Sequence, residues 1–280
     1  MPTHVSISSL KYKDEYKQHG SEMKVAIFII SGNNLSKYEE FQKNVWKSYM
    51  NTYNHIFDCK IIYSGKKGKL DHNEWTCEEC GEDKVMGLNK RVFKAFKNVQ
   101  HKYDFYTMVP LSMFVNFKNF IRYLRPLLTY NKPFYGGQFG GSNHVTTIST
   151  WSSFVIFNNK SLNIFLKEGV KDKYMKPSLK FLKGVDDFNL DVWISHIMHN
   201  NGVKPYPHQK QLSTCTYNVG VDPVYTLGAV SIPPEKLRDM YDEYALIRFR
   251  SPRYGGENYP EEKRVILYLL EKVYNKKLLV

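Results

Sequence analysis

The sequence predicts an α/β domain built on a mostly parallel sheet flanked by helices, and three observations predict it. The run Lys24-Val25-Ala26-Ile27-Phe28-Ile29-Ile30 is short, continuous and rich in β-branched residues, and Ser31-Gly32-Asn33-Asn34 stops it. A strand buried on both faces of a parallel sheet reads this way. From there apolar runs alternate with segments of helical periodicity, strand–helix–strand–helix–strand, which implies right-handed crossovers. The chain has 280 residues, 42% of them apolar and 15% aromatic. That is enough to fill such a core, and it excludes a mainly disordered chain.

Taken in order, residues 1–22 are polar and aperiodic and read as a lead-in to one domain over 23–280. After the strand at 24–30, Ser36 can cap a helix in which Phe41, Val45, Tyr49 and Tyr53 recur at helical spacing. A second strand at 59–63 ends at Ser64-Gly65. A polar stretch follows, then a helix over 84–99 with Val85, Leu88, Val92, Phe96 and Val99 on one face. A third strand at 103–109 leads to a helix over 117–128. Strands at 133–137 and 150–157 flank a glycine-rich loop, and helices are expected at 186–200, 234–244 and 260–274. No repeat, low-complexity tract or linker divides the chain. Ligands of such sheets sit outside the carboxyl ends of the strands, which nominates Ser31, Gly32 and Tyr63 for a nucleotide pocket.

The balance of 40 basic against 27 acidic residues leaves a net charge of +13, which favours anionic partners. The basic residues are scattered, with only short clusters such as Lys66-Lys67 and Lys276-Lys277, so nucleic acid is not an expected partner. No run approaches the ~18–20 apolar residues of a membrane helix, and Met1-Pro2-Thr3-His4-Val5-Ser6 has no apolar signal core. A soluble, cytoplasmic protein is expected. Four cysteines are too few for a disulfide scaffold and fit a reducing compartment. Cys77-Glu78-Glu79-Cys80 has metal-knuckle spacing, but no second pair completes four zinc ligands; His72 is the nearest further candidate. Redox chemistry is not expected of a pair in a polar loop.

The segment 103–116, Tyr-Asp-Phe-Tyr-Thr-Met-Val-Pro-Leu-Ser-Met-Phe-Val-Asn, resembles GT-A glycosyltransferases, especially the β-1,3-galactosyltransferase and Fringe-like group, where a strand runs into an Asp-rich metal motif. Downstream, Pro133-Phe134-Tyr135-Gly136-Gly137 resembles that family's Tyr-x-Gly strand, and Ser152-Ser153-Phe154-Val155-Ile156 its small-residue strand. Leu190-Asp191-Val192-Trp193-Ile194 is similar to its Glu-Asp-Val helix start. The likeness spans residues 24–207, with a weaker echo at 248–274. It departs at one point: the acidic triplet falls on Pro110, Leu111 and Ser112, and no Asp-x-Asp pair occurs in the chain. Glycosyltransferases of large algal viruses, the chlorella-virus capsid-glycan xylosyltransferases among them, look similar here and also lack the triplet.

The resemblance implies a GT-A-like (Rossmann-like) fold with a nucleotide-binding half at 23–112 and an acceptor half at 113–280. It implies inverting transfer of a sugar, xylose from UDP-xylose, onto an oligosaccharide or glycoprotein acceptor, a fucose-containing capsid glycan. With the motif absent, no metal cofactor is expected, and Ser112 stands where the metal motif stands elsewhere.

Without a metal, the departing diphosphate still needs positive charge. In Arg248-Phe249-Arg250-Ser251-Pro252-Arg253 the alternation puts Arg248 and Arg250 on one face of an extended segment, suited to gripping an anion. The same pattern also fits a solvated edge strand with basic gatekeepers. Lys90 and His208 are lesser candidates. Inverting transfer needs a carboxylate to take the acceptor's proton. In Asp186-Asp187-Phe188-Asn189-Leu190-Asp191 a helix start would put Asp187, Asp191 and Ser195 on one stripe facing a cleft. Asp186 or Asp187 suits the helix cap, which leaves Asp191 as the base and Asp187 beside the sugar.

The segment from Gly136 to His144 forms either a wide turn or a sugar-binding lip, with Gly137, His144, Trp151 and Ser153 as its contacts. It lacks phosphate-loop spacing, which excludes an NTPase of that type. Trp46, Trp151 and Trp193 read as core or groove packing rather than a cofactor box. Two other classes stay open: a catalytically silent glycan- or nucleotide-binding module, and a basic nucleic-acid-binding protein supported by charge alone.

Overall fold

Strand β1 (Val25–Ile30) is apolar throughout because both of its faces are covered. Val25, Ile27 and Ile29 enter one hydrophobic cluster, while Ala26 and Phe28 enter a second on the other side of the sheet. The computed structural model describes residues 23–32, 35–63, 70–80, 86–140, 149–171, 190–204, 213–216, 245–249 and 259–278. Within these, Trp151, Ser153, Asp191 and Arg248 are described by their backbone only. The lead-in 1–22 and the helix expected at 234–244 lie outside the described residues.

The chain continues through α1 (Lys37–Tyr49), β2 (Phe57–Tyr63), β3 (Glu74–Thr76), α2 (Met86–Asn98) and β4 (Phe105–Pro110). Next come β5 (Met113–Val115), α3 (Phe117–Leu124), β6 (Tyr135–Gly140), β7 (Ser149–Asn158), α4 (Asn159–Glu168) and α5 (Leu190–Asn200). The described chain closes with β8 (Ser213–Thr216), β9 (Leu246–Phe249) and α6 (Tyr259–Tyr274). The main sheet has the order β3-β2-β1-β4-β7-β6. Strands β1 to β4 are mutually parallel, and β7 runs antiparallel to both β4 and β6. This is the mostly parallel α/β sheet the alternation predicts.

Local chemistry explains most of the boundaries. Ser36 caps α1 in a capping box: its hydroxyl accepts from the Glu39 N–H at 3.2 Å and its own N–H donates to Glu39 Oε2 at 2.8 Å. The helix expected over 117–128 ends at Leu124, and residues Arg125–Thr129 tighten into a 3₁₀ turn, because Pro126 has no N–H for the α ladder. Helix α4 was not foreseen from the sequence. Its cap is Asn158, whose side chain accepts from the Ser161 N–H at 3.0 Å, and Leu162, Phe165 and Leu166 form its buried stripe.

A second, three-stranded sheet runs β5-β9-β8. Here β9 is the central strand, with Leu246, Ile247 and Phe249 buried. The edge-strand reading of the Arg248 segment is therefore corrected: a strand paired on both sides and apolar at these positions is interior.

Candidate functional site

In an open α/β sheet the ligand crevice lies where the strand order turns back, outside the carboxyl ends. Here that point is between β1 and β4, because the chain leaves β1 toward β2 on one side and returns to β4 on the other. The strand ends are tied together across it. The Ser31 N–H donates to the Ile62 carbonyl at 2.9 Å, and the Leu111 N–H donates to the Ile30 carbonyl at 3.1 Å. Ser31 is buried and its neighbour Gly32 is exposed.

Tyr63, the last residue of β2, is buried and donates its hydroxyl to Glu74 Oε1 at 2.8 Å. Lys47 of α1 pairs with Glu74 and with Asp71, both at 2.8 Å. Burial alone would push the Glu74 carboxyl up. Hydrogen bonds from Lys47, the Asp71 N–H and Tyr63 outweigh it and hold the carboxyl at about 2. Burial, and then the Glu74 bond, push the Tyr63 hydroxyl up. Tyr63 is thus a fixed, neutral core residue at the end of β2, and the expectation that its side chain borders a nucleotide pocket is not met by its near-complete burial.

The turn after β4 is equally constrained. Trp46 Nε1–H donates to the Leu111 carbonyl at 3.0 Å, and the Phe249 N–H donates to the Ser112 carbonyl at 2.8 Å. In register, Arg248 lies opposite Met113. Ser112 and the strand that carries Arg248 are therefore neighbours. Pro110, Leu111 and Ser112 offer no carboxylate to a divalent cation, and the carbonyls of Leu111 and Ser112 already accept hydrogen bonds. No group of three or more His, Cys, Asp or Glu placed to hold a metal occurs among the described residues. Beneath the turn, Gln42, Trp46, Ser112, Phe114 and Phe249 line a small cavity with room for about one water.

Helix α5 carries Asp191 in its first turn, one turn before Ser195. Ser195 is fully buried and hydrogen-bonded to the Tyr135 hydroxyl, which burial raises to about 12 despite that bond. The expectation that this stripe faces a cleft is corrected at its Ser195 end, which faces the core. Trp193 stacks edge-on to Phe165 at 5.0 Å, and Trp46 is buried against Tyr49 at 5.0 Å, so both tryptophans are packing residues.

Gly137 is buried on β6, next to a register shift against β7. Trp151 lies on β7 opposite Gln138, and Ser153 lies two residues further along that strand. His144, Asp187 and Arg250 lie outside the described residues.

Cys77 and Cys80 form a disulfide across the 3₁₀ turn Glu78–Cys80, directly after β3. The pair is thus neither half of a zinc site nor free thiols. Lys90, weighed from the sequence, is exposed, whereas its neighbour Arg91 is buried. The sequence reading passed over Arg91, although it lies between Leu88 and Ala95 at i−3 and i+4, on the flank of the apolar stripe.

No protein family and no curated protein matches the chain. Among solved structures, it is similar to a glycosyltransferase involved in the glycosylation of the major capsid of PBCV-1. The identity is 10% and the TM-score 0.41, covering 86% of this chain and 98% of that one. It is also similar to 4-diphosphocytidyl-2C-methyl-D-erythritol synthase from Anaerococcus prevotii, at 11% identity and TM-score 0.38, covering 66% of this chain and 87% of that one. The bifunctional IspDF of Campylobacter jejuni follows at 12% identity and TM-score 0.36, covering 66% and 49%. No helix among the described residues is long and apolar enough to cross a membrane.

Proposed function

We propose that the protein is an inverting glycosyltransferase that draws its sugar from a nucleotide donor. The observation that carries this reading is the β1/β4 switch point in the strand order, beside which the turn holding Ser112 is hydrogen-bonded to the strand bearing Arg248. The motif resemblance supplies the finer assignment: UDP-xylose as donor and a fucose-containing capsid glycan as acceptor.

In this reading Ser31, Gly32 and Ser112 line the nucleotide, while Arg248 and Arg250 neutralise its diphosphate. Gly137, His144, Trp151, Ser153 and Asp187 border the sugar and the acceptor. The acceptor oxygen attacks the anomeric carbon and Asp191 takes its proton. The bond from that carbon to the diphosphate oxygen breaks, its electron pair leaves with UDP, and the configuration inverts. No metal takes part.

The test is UDP release from a panel of UDP sugars with and without EDTA. Turnover is expected to survive chelation, and turnover abolished by EDTA and restored by manganese would refute the metal-free scheme. Asp191→Asn should lower turnover by roughly 10²–10⁴-fold while UDP still binds; near-normal turnover would move the base elsewhere. The carboxylate-free turn also suits a nucleotide-binding module without turnover, and release of UDP from any donor would dismiss that second reading.

A further inference from the structure

Arg91 is 5% exposed, and its Nε and Nη1 have no hydrogen-bond partner. No carboxylate pairs with it among the described residues. A guanidinium cannot shed its charge at ordinary pH, and a buried charge without a counter-charge is costly. Buried cations persist where something supplies the missing anion. Burial also pulls the Arg91 pKa down, with no neighbouring charge offsetting it.

Topology sets the direction in which Arg91 reaches. Because β3 is parallel to β2 and β1, it delivers the chain to the carboxyl end of the sheet, and α2 starts from there. Arg91 is the sixth residue of α2, less than two turns from that end. Long helical side chains tend to lean toward the helix N-terminus, which for α2 is the end that follows β3, and this makes the strand ends the side within reach of Arg91. Its neighbours on the helix, Ala95 and Leu88, pack in the cluster that contains Ile62 near the end of β2, with Ile30 of β1 and Trp75 of β3 against it. Gly32 and the Pro110–Met113 turn border the same end of the sheet.

We propose that Arg91 is an anion-binding residue that pairs with a phosphate group of the ligand held at the carboxyl ends of β1 and β2. Naming that ligand a nucleoside diphosphate rests on the function proposed above; the phosphate site itself does not. Arg91 would approach from the α2 face, opposite the face that carries β9. The ligand's phosphate would supply the charge the fold leaves out, and the fork of N–H donors suits two oxygens at once.

The test is calorimetric titration of the full chain with UDP, uridine and inorganic pyrophosphate, for the wild type, Arg91→Met and Arg91→Lys. UDP and pyrophosphate should bind Arg91→Met roughly 10- to 100-fold more weakly than wild type, with Arg91→Lys in between and uridine unchanged. The melting temperature of ligand-free Arg91→Met should equal or exceed that of wild type, since an uncompensated charge has been removed. Equal UDP and pyrophosphate affinity in Arg91→Met would overturn the site, as would a wild type that binds neither. Loss of folding in both variants would overturn it too, because it would make Arg91 a structural residue. Pyrophosphate binding that depends on Arg91, without UDP binding, would keep the site and reject the nucleotide. UDP binding indifferent to Arg91 would keep the nucleotide and reject the site.

Discussion

The two faces of the main sheet are built differently. On the face covered by α1, α3 and α6, aromatic rings form a continuous stack. Tyr49 lies 4.6 Å from Tyr274 and 5.1 Å from Phe114, and Phe57 lies 4.7 Å from Phe117. The polar tips in that stack are used. The Tyr49 hydroxyl accepts from the Val115 N–H at 3.2 Å, and the Tyr274 hydroxyl donates to the Val115 carbonyl and accepts from the Phe117 N–H. Tyr38 donates to Glu262 at 2.6 Å, joining α1 to α6. On the face covered by α2, α4 and α5 the packing is also aromatic, through Phe93, Phe96, Phe165 and Trp193, yet it buries Arg91 with no counter-charge among the described residues. The first face also keeps an orphan, the Nε2 of buried Gln42 on α1 beside the small cavity, but that group is neutral, whereas Arg91 carries a full charge, whose burial without a counter-charge costs far more.

Substitutions can break this contrast. Phe57→Ala, at the start of β2 and far from the strand ends, should cost about 3–5 kcal/mol of folding stability in urea denaturation and leave the UDP affinity of the folded protein unchanged. A loss of UDP affinity there would mean that the first face also shapes the site. Tyr274→Phe strips the Val115 carbonyl and the Phe117 N–H of one partner each, and should cost about 1–3 kcal/mol by the same measurement. No cost would show that β5 does not depend on the tyrosine brace.

The smallest effect concerns pH. Glu74 ionises well below its ordinary value of 4.5 when folded, near 2. The stability it supplies is therefore complete above about pH 4.5 and drains away as pH falls toward 2. Lys47→Met should flatten that stretch of the stability–pH curve, and an unchanged slope between pH 4.5 and 2 would show that the Lys47 bridge is not what holds Glu74 ionised.

The sequence was legible where one period dominates. Strand β1 reads as doubly buried because its apolar run has no polar alternation, and α1 reads from Ser36, Glu39 and the Phe41–Val45–Tyr49 spacing. Strands β3, β5 and β8 span three or four residues, too short for any period to register. Strand β9 looks like a basic edge because Arg248 and Arg250 outweigh the three apolar residues Leu246, Ile247 and Phe249; only its pairing with β5 and β8 makes it central. For the site, chain order was enough to nominate Ser31, Gly32 and Ser112 as strand-end residues. It did not distinguish exposed Lys90 from buried Arg91, since both are cations on one helix and burial depends on what packs against each face.

What the chain determines by itself is the alternation of strands and helices, and with it a mostly parallel sheet whose carboxyl strand ends are known in advance. Those properties follow from local periodicity and from the handedness of every L-amino-acid crossover. The tertiary structure alone decided that residues 112 and 249 are hydrogen-bonded, that Tyr63 is locked by Glu74 and Lys47, and that Arg91 is buried with no counter-ion among the described residues. Those are contacts between residues far apart in sequence or between helix and sheet, and their energies depend on burial, which no local pattern encodes.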